Sequence, residues 1–355
     1  MRKLIVTLSL FLAFVVVLSG AVGAYFWQWL NAPIAYQAQY LQSVNNVYRV
    51  ERGSNLTQIA NVLAREQIIE WPKVWVLYAR ASQKTAVKVG EYKLLAGDTP
   101  LVLLNRLVSG DVVSYSVTLI EGSTFKDFLT ALHAQEKLQK TLARKTTEQI
   151  LADLNLDIQH PEGWFFPDTY NYIAGDSDAD ILKRAHKTMR KVLDTQWQAR
   201  AQNLPYTQPY EALIMASIVE KETGVPYERD EIAGVFIRRL QKRMRLQTDP
   251  TVIYGMGENY AGNITRKDLR TPTPYNTYVI KGLPPTPIAM PGKEAIYAAL
   301  HPADGEHLYF VAKGDGSHYF SSTLDEHLAA VAKYQKRRTS NYRSAPPVNT
   351  PTKNN

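Results

Sequence analysis

The chain has 355 residues, 45% of them apolar, and no cysteine; that leaves room for two or three folded domains and excludes a disulfide framework, thiol catalysis and a lipidated N-terminal cysteine. Lys and Arg outnumber Asp and Glu by 41 to 33, a net charge of +8. The positive residues are spread along the chain and mixed with acids, so an acidic envelope, a membrane surface or an anionic polymer suits them better than nucleic acid.

Arg2 and Lys3 precede an uncharged, mostly apolar run from Leu4 to about Leu30, and no charged residue follows before Arg49. This predicts a transmembrane helix over 1–30 with Phe26, Trp27 and Trp29 at its far interface, a cytoplasmic N-terminus, and a chain that lies outside the inner membrane from there on. A cleaved signal peptide with small residues at 21–24 is the competing reading; the length of the run favours the anchor. Residues 31–46, polar, uncharged and rich in Gln, Asn and Ala, read as a linker.

A pattern then recurs three times, at 50–56 (VERGSNL), 94–100 (LLAGDTP) and 119–125 (LIEGSTF). Each has a strand end, a Gly turn, a Ser, Asn, Asp or Thr helix cap, and apolar residues at helical spacing. The first part, 47–110, resembles the LysM family in fold, with Gly53-Ser-Asn-Leu56 standing for that family's opening and a longer second helix that carries Trp71, Trp75 and Tyr78. The resemblance implies a βααβ subdomain over 47–117 and affinity for N-acetylglucosamine polymers. Spacing at i, i+4 and i+7 equally suits three aromatic residues of a helix core.

Residues 118–335 read as a larger mixed α+β domain, and 336–355, mainly Pro, Ser, Asn, Thr and basic residues, as a disordered tail. Within the larger domain, 130–156 predicts one or two amphipathic helices. The turn at 161–170 (PEGWFFPDTY) offers Trp164 as a flat face for a sugar ring, with Asp168 and Glu162 as acceptors. A basic amphipathic helix is predicted over 178–197. Next, 210–224 (YEALIMASIVEKETG) predicts a buried helix, apolar from Ala212 to Val219 except at Ser217 and stopped by Gly224. Glu220 falls in its last turn, where apolar neighbours and the carbonyl end of the helix dipole raise a carboxyl pKa toward the range of a general acid. Structural carboxylates are commoner than catalytic ones, so the segment alone leaves both roles open.

A second helix is predicted over 227–244, and 245–257 (RLQTDPTVIYGMG) reads as a loop dense in donors and acceptors. Six prolines among tyrosines and uncharged polar residues at 271–278 and 282–292 predict stiffened loops that wall a groove. The region 292–335 reads as a helix, a hairpin around Gly314-Asp-Gly316, and a last helix. Seven histidines are scattered without ligand-like spacing, and no metal or cofactor motif is present.

Four of these stretches, 162–170, 216–223 (ASIVEKET), 245–257 and 273–278 with Gly282-Leu-Pro-Pro285, resemble the YceG family, and the likeness runs from the N-terminal anchor to about residue 335. The resemblance implies an endolytic lytic transglycosylase of the inner membrane, which cleaves the bond between N-acetylmuramic acid and N-acetylglucosamine inside nascent peptidoglycan strands and leaves a 1,6-anhydro end. Glu220 takes the position of the family's catalytic glutamate, and peptidoglycan synthases, the penicillin-binding proteins, are implied as partners. One acid suffices for this chemistry, because the sugar's own 6-hydroxyl replaces the second carboxylate of an ordinary glycosidase. Gln247, Asp249, Tyr254, Tyr275 and Asn276, with Trp164 and Asp168, are the expected groove lining. Glu222 is the rival acid and, two residues along the helix, is expected to face away. A membrane-tethered peptidoglycan-binding scaffold without catalysis and a hydrolytic muramidase are the alternative functions.

Overall fold

The computed structural model describes residues 2–35, 46–222 and 224–335; the expected tail and most of the expected linker lie outside them. It is a mixed helix and strand structure, with twelve α-helices and three two-stranded sheets among the described residues. It divides into two compact units. The first holds residues up to Ser116 with Glu136–Gln139 and Asn171–Asp176, and the second the remainder.

In the first unit, α1 (Arg2–Asn31) is one continuous helix. Its stretch Leu4–Asn31 is long and apolar enough to cross a bilayer. After it come β1 (Val47–Val50), α2 (Leu56–Arg65), α3 (Pro72–Ala81), β2 (Gly90–Lys93) and α4 (Pro100–Ser109). β1 and β2 pair antiparallel, with Val47 opposite Lys93 and Val50 opposite Gly90. Helix starts follow their caps: Asn55 and Gln58 close a capping box on α2, and Thr99 accepts from the Val102 N–H on α4. Trp75, Tyr92, Leu63, Leu103, Leu104 and Leu107 are fully buried between the helices and the strand pair. Leu30, at the end of α1, belongs to the same core, so α1 joins this unit by packing.

β3 (Ser114–Thr118) and β4 (Thr169–Ile173) form the second strand pair, and the division between the units passes through both strands. The second unit continues with α5 (Phe125–His133), α6 (Thr147–Leu154), α7 (Asp178–Gln198), α8 (Pro209–Glu222), α9 (Arg229–Gln241), α10 (Asp249–Met256) and α11 (Lys293–Leu300). A hairpin of β5 (Tyr309–Ala312) and β6 (His318–Ser321) and a final helix, α12 (Leu324–Tyr334), complete it. α8 is its centre: every residue from Ala212 to Val219, all apolar except Ser217, is buried, chiefly against α11 and also against α7, α9 and α10. Ser217, the polar exception, donates to the Ile214 carbonyl (2.7 Å) and accepts from the Ile288 N–H (3.0 Å). It thereby fastens the proline-rich loop to α8.

One expectation is corrected and another is narrowed. Residues 249–256 are a helix, not a loop, with Pro250 in its first turn, where the missing N–H costs nothing. The stretch 130–156 is interrupted: α5 ends at His133 and turns fill the gap to α6. The buried Asp178 holds these turns by accepting from the Thr141 N–H and hydroxyl and from the Leu142 N–H.

Candidate active site

Four segments of the second unit meet at the C-terminal end of α8. Glu220 lies in the last turn of that helix, and its side chain is 7% exposed. The turn that precedes α5 lies beside it: Gly122 has a φ of +72°, a conformation glycine adopts without strain, and its Cα faces the Glu220 side chain. That turn is paired in both directions with the end of the proline-rich loop, through Gly122 N–H to Met290 O (2.9 Å) and Met290 N–H to Ser123 O (2.8 Å). Gly292, at the end of the loop, donates its N–H to Glu220 Oε2 at 2.9 Å. Arg229, the first residue of α9, brings Nη2 to 3.9 Å from Glu220 Oε1. Arg229 Nε is buried and has no hydrogen-bond partner among the described residues. Lys221 donates to the Gly122 carbonyl.

Burial is the main reason that the Glu220 carboxyl titrates above the usual range of a glutamate. The Gly292 N–H opposes the shift, the negative charge of Glu121 reinforces it, and Arg229 and Lys221 oppose it. Glu121 is exposed and presses on Gly292: a Cβ there would lie 2.0 Å from Glu121 Oε1. The result is an acid that holds its proton more tightly than an ordinary glutamate, with one oxygen fixed by a backbone N–H and a cation near the other. Such a group donates a proton and is then stabilised as an anion.

Glu222 points elsewhere. Its carboxyl accepts from the Thr248 hydroxyl, and the Thr248 N–H donates in turn to Thr277 Oγ1 (3.0 Å), which is 2.8 Å from Thr251 Oγ1. The residue as a whole keeps some exposed surface, but its carboxyl is packed closely enough that burial pushes it up to about 7. The nearby charge of Asp249 adds to the shift, and the Thr248 hydrogen bond and Arg239 oppose it. Glu162 is a third acid of this kind. It is buried, accepts from the Phe125 N–H (2.8 Å) and the Tyr254 hydroxyl (2.9 Å), and is pushed up to about 7, again mainly by burial.

Of the seven other residues expected at the site, five fall into two groups and Asn276 and Asp168 stand apart from both. Around Glu162, the rings of Tyr254 and Tyr275 meet edge to face at 4.9 Å, and Trp164 stacks on Tyr210 at 5.4 Å. Around Thr248, the exposed Gln247 has a φ of +52° and donates its N–H to Thr277 O, and Asp249 accepts from the Tyr278 hydroxyl at 2.6 Å. Asn276 is 1% exposed and gives its amide N–H groups to the carbonyls of Asp268 and Thr271, so its hydrogen bonds lie within its own loop. Asp168 is exposed and accepts from the Thr169 N–H. The polar partners of Glu220 are instead Gly292, Arg229, Lys221 and Glu121, none of which the sequence analysis singled out for the site. Glu121, Lys221 and Gly292 do fall within the stretches 119–125, 216–223 and 282–292 described above, whereas Arg229 falls in none of the quoted motifs. Among the described residues no three His, Asp or Glu side chains converge as a metal site.

The YceG-like family model matches residues 48–333. The endolytic murein transglycosylase of Bacillus subtilis (strain 168) is 33% identical over 303 residues, covering 80% of this chain and 83% of that protein. The endolytic murein transglycosylase of Streptococcus pneumoniae serotype 2 is 27% identical over 319 residues, and there the match covers 80% of this chain and 57% of the relative. A crystal structure of a YceG-like protein from Listeria monocytogenes, 29% identical, aligns over 80% of this chain and 98% of its own with a TM-score of 0.46. By the family model and the Bacillus relative together, the chain belongs to the YceG-like family.

Proposed function

We propose that this chain is an endolytic murein transglycosylase that cleaves the bond between N-acetylmuramic acid and N-acetylglucosamine within peptidoglycan strands. Family membership supports the reaction class, and the observation that carries the residue assignment is the buried Glu220 carboxyl gripped by the Gly292 N–H. In the reaction, neutral Glu220 protonates the glycosidic oxygen as the bond to the muramic C1 breaks. The resulting carboxylate is stabilised by Gly292 N–H and by Arg229. It then takes the proton of the muramic 6-hydroxyl as that oxygen closes on C1, which gives the 1,6-anhydro product and restores the acid. No water enters, so a walled site serves the chemistry.

Trp164, Tyr254 and Tyr275 supply ring faces for the sugars, and Gln247, Asp249 and Asp168 supply polar groups for their acetamido and hydroxyl substituents. Asn276 shapes the loop that carries Tyr275. Residues 118–335 are assigned to catalysis. The β1-α2-α3-β2 unit, 47–117, is assigned a LysM-like role in holding glycan. α1 is the anchor in the inner membrane, with Arg2 and Lys3 on the cytoplasmic side and the rest of the chain in the periplasm. Peptidoglycan synthases are the expected partners, since their product is the substrate.

Glu220→Gln is the test. It keeps an acceptor for the Gly292 N–H and removes the proton, so anhydro-ended fragments should vanish from digests of purified glycan while strand binding persists; undiminished release sinks the enzyme reading and leaves the scaffold. A second reading has one observation in its favour, because Glu121 places another carboxyl against Gly292. Were it to activate water, the products would be reducing sugars one water heavier. Mass spectrometry of the fragments separates the two.

A further inference from the structure

The geometry points to a membrane-seating site in the first unit: the exposed face of α3 and the groove between α2 and α3 rest on the leaflet that the C-terminal end of α1 reaches, and take the phosphate of an anionic phospholipid. This rests on the reading of α1 as a membrane span. A hydrocarbon core of about 30 Å takes roughly 20 helical residues. Counted from Leu4, that brings the last turns of α1, with Phe26 and Trp27, to headgroup depth. α3 is fastened at that level, by the ring of Trp71 against Phe26 (5.7 Å) and that of Tyr78 near Trp27 (6.4 Å).

Facing outward from α3 at i, i+4 and i+7 are Lys73, Leu77 and Arg80, all exposed, Leu77 at 67%. An exposed leucine is ordinary in water. Held at headgroup depth between two cations, it forms the pattern of an interfacial helix, in which apolar side chains dip inward and long basic side chains reach the phosphates. Beside it lies a groove of about 360 Å³ lined by Thr57, Asn61, Lys73, Leu77 and Arg80 with Pro72 and Val76. None of these residues is acidic, and Arg80 Nη2 lies 3.4 Å from Thr57 Oγ1, so cationic donors and a hydroxyl converge. That set matches a phosphate monoanion better than a neutral sugar, which asks for an open aromatic face, and Trp71 has its ring engaged with Phe26.

The chain has no cysteine, so Leu77→Cys creates a unique labelling site. The full chain, labelled there with an environment-sensitive fluorophore, is placed in nanodiscs of phosphatidylglycerol or phosphatidylcholine that carry nitroxide lipids at shallow or deep positions. Phe14→Cys, in the middle of α1, is labelled in parallel. Seating predicts that Phe14→Cys is quenched from the deep position and Leu77→Cys from the shallow one, more strongly in phosphatidylglycerol. Adding Lys73→Glu and Arg80→Glu should lower the preference for phosphatidylglycerol by about fivefold per charge. If Phe14→Cys is quenched but Leu77→Cys stays aqueous in both lipids, seating is overturned and the anchor stands. If Phe14→Cys is not quenched, the anchor and the seating fall together. Quenching of Leu77→Cys that ignores both lipid charge and the two substitutions overturns the phosphate site, as does displacement of lipid by added glycan fragments.

Discussion

The two ends of the Glu220-Lys221-Glu222 segment differ in a way that separates a reactive acid from a structural one. Both carboxyls are shifted upward chiefly by burial. Glu222 is met by a threonine hydroxyl that is itself locked into a chain of threonines, Thr248, Thr277 and Thr251, all of them buried. Glu220 is met by backbone at two glycines, by one guanidinium at 3.9 Å, and by an exposed second acid. Hydroxyl partners that are internally satisfied leave a carboxyl nothing to exchange. Glycines leave room beside it, and a distant cation can respond as charge develops. A raised pKa is therefore shared by both regions, and the surroundings decide its use.

The largest expected effect tests that contrast directly. Glu220→Gln should lower the rate of glycan cleavage by at least about 10²–10⁴-fold, the usual contribution of a general acid, with little change in melting temperature. Glu222→Gln should retain most of the activity, because an amide still accepts from Thr248. Parallel assays of the two purified variants decide it, and the reverse pattern would exchange the roles assigned to the two acids.

Next in size is Gly292→Ala. A methyl group there lies 2.0 Å from Glu121 Oε1, so the exposed Glu121 side chain must swing away and the N–H that holds Glu220 is disturbed. The fold should persist, since Glu121 is free to move, while kcat falls by up to about a hundredfold, the scale of a misplacement of about 1 Å. Restoration of the rate by Glu121→Ala in the Gly292→Ala background would show that the clash is the cause; no restoration would place the damage in the loop backbone.

Glu162 sharpens the comparison from the stability side. Its carboxyl titrates at about 7 in the folded chain against 4.5 ordinarily. Between those values the native state binds more protons than the unfolded state, so stability is greatest below pH 4.5, falls as pH rises, and levels off above about 7. The loss amounts to at most on the order of 3 kcal/mol. Glu162→Gln should flatten this part of the profile of melting temperature against pH, and an unchanged slope would assign it to other groups, Glu222 foremost.

These contrasts were legible in the sequence to unequal degrees, for physical reasons. Local signals announced their elements: Asn55, Thr99 and Thr124 each accept from the third N–H of the helix they start, and the uncharged run after Lys3 is a single helix. The apolar block 212–219 placed α8 and its terminal acid. α10 was missed because Pro250 and Gly255 punctuate a short segment, whose two turns are held by buried threonines from 248, 251 and 277 that only tertiary structure assembles. For the same reason the neighbours of Glu220 were out of reach. Gly292 is 72 residues away along the chain. A glycine in a proline-rich loop also carries no mark of the carboxyl it will bind.

The smallest effect expected is at Arg229. Its charge lowers the pKa of Glu220, against the dominant effect of burial. Without it the acid holds its proton to higher pH, so Arg229→Met should move the alkaline limb of the pH-rate profile upward. The same change removes a cation from beside the carboxylate that forms when the proton leaves, so the plateau rate should fall severalfold as the limb shifts. These two movements have opposite consequences at alkaline pH, which makes a full profile more informative than a single rate. Arg229→Lys, which keeps the charge and loses the planar fork, should return the limb to its original position and recover only part of the plateau. A plateau that falls with no displacement of the limb would mean that Arg229 acts on the substrate, through its unpartnered Nε, and not on Glu220.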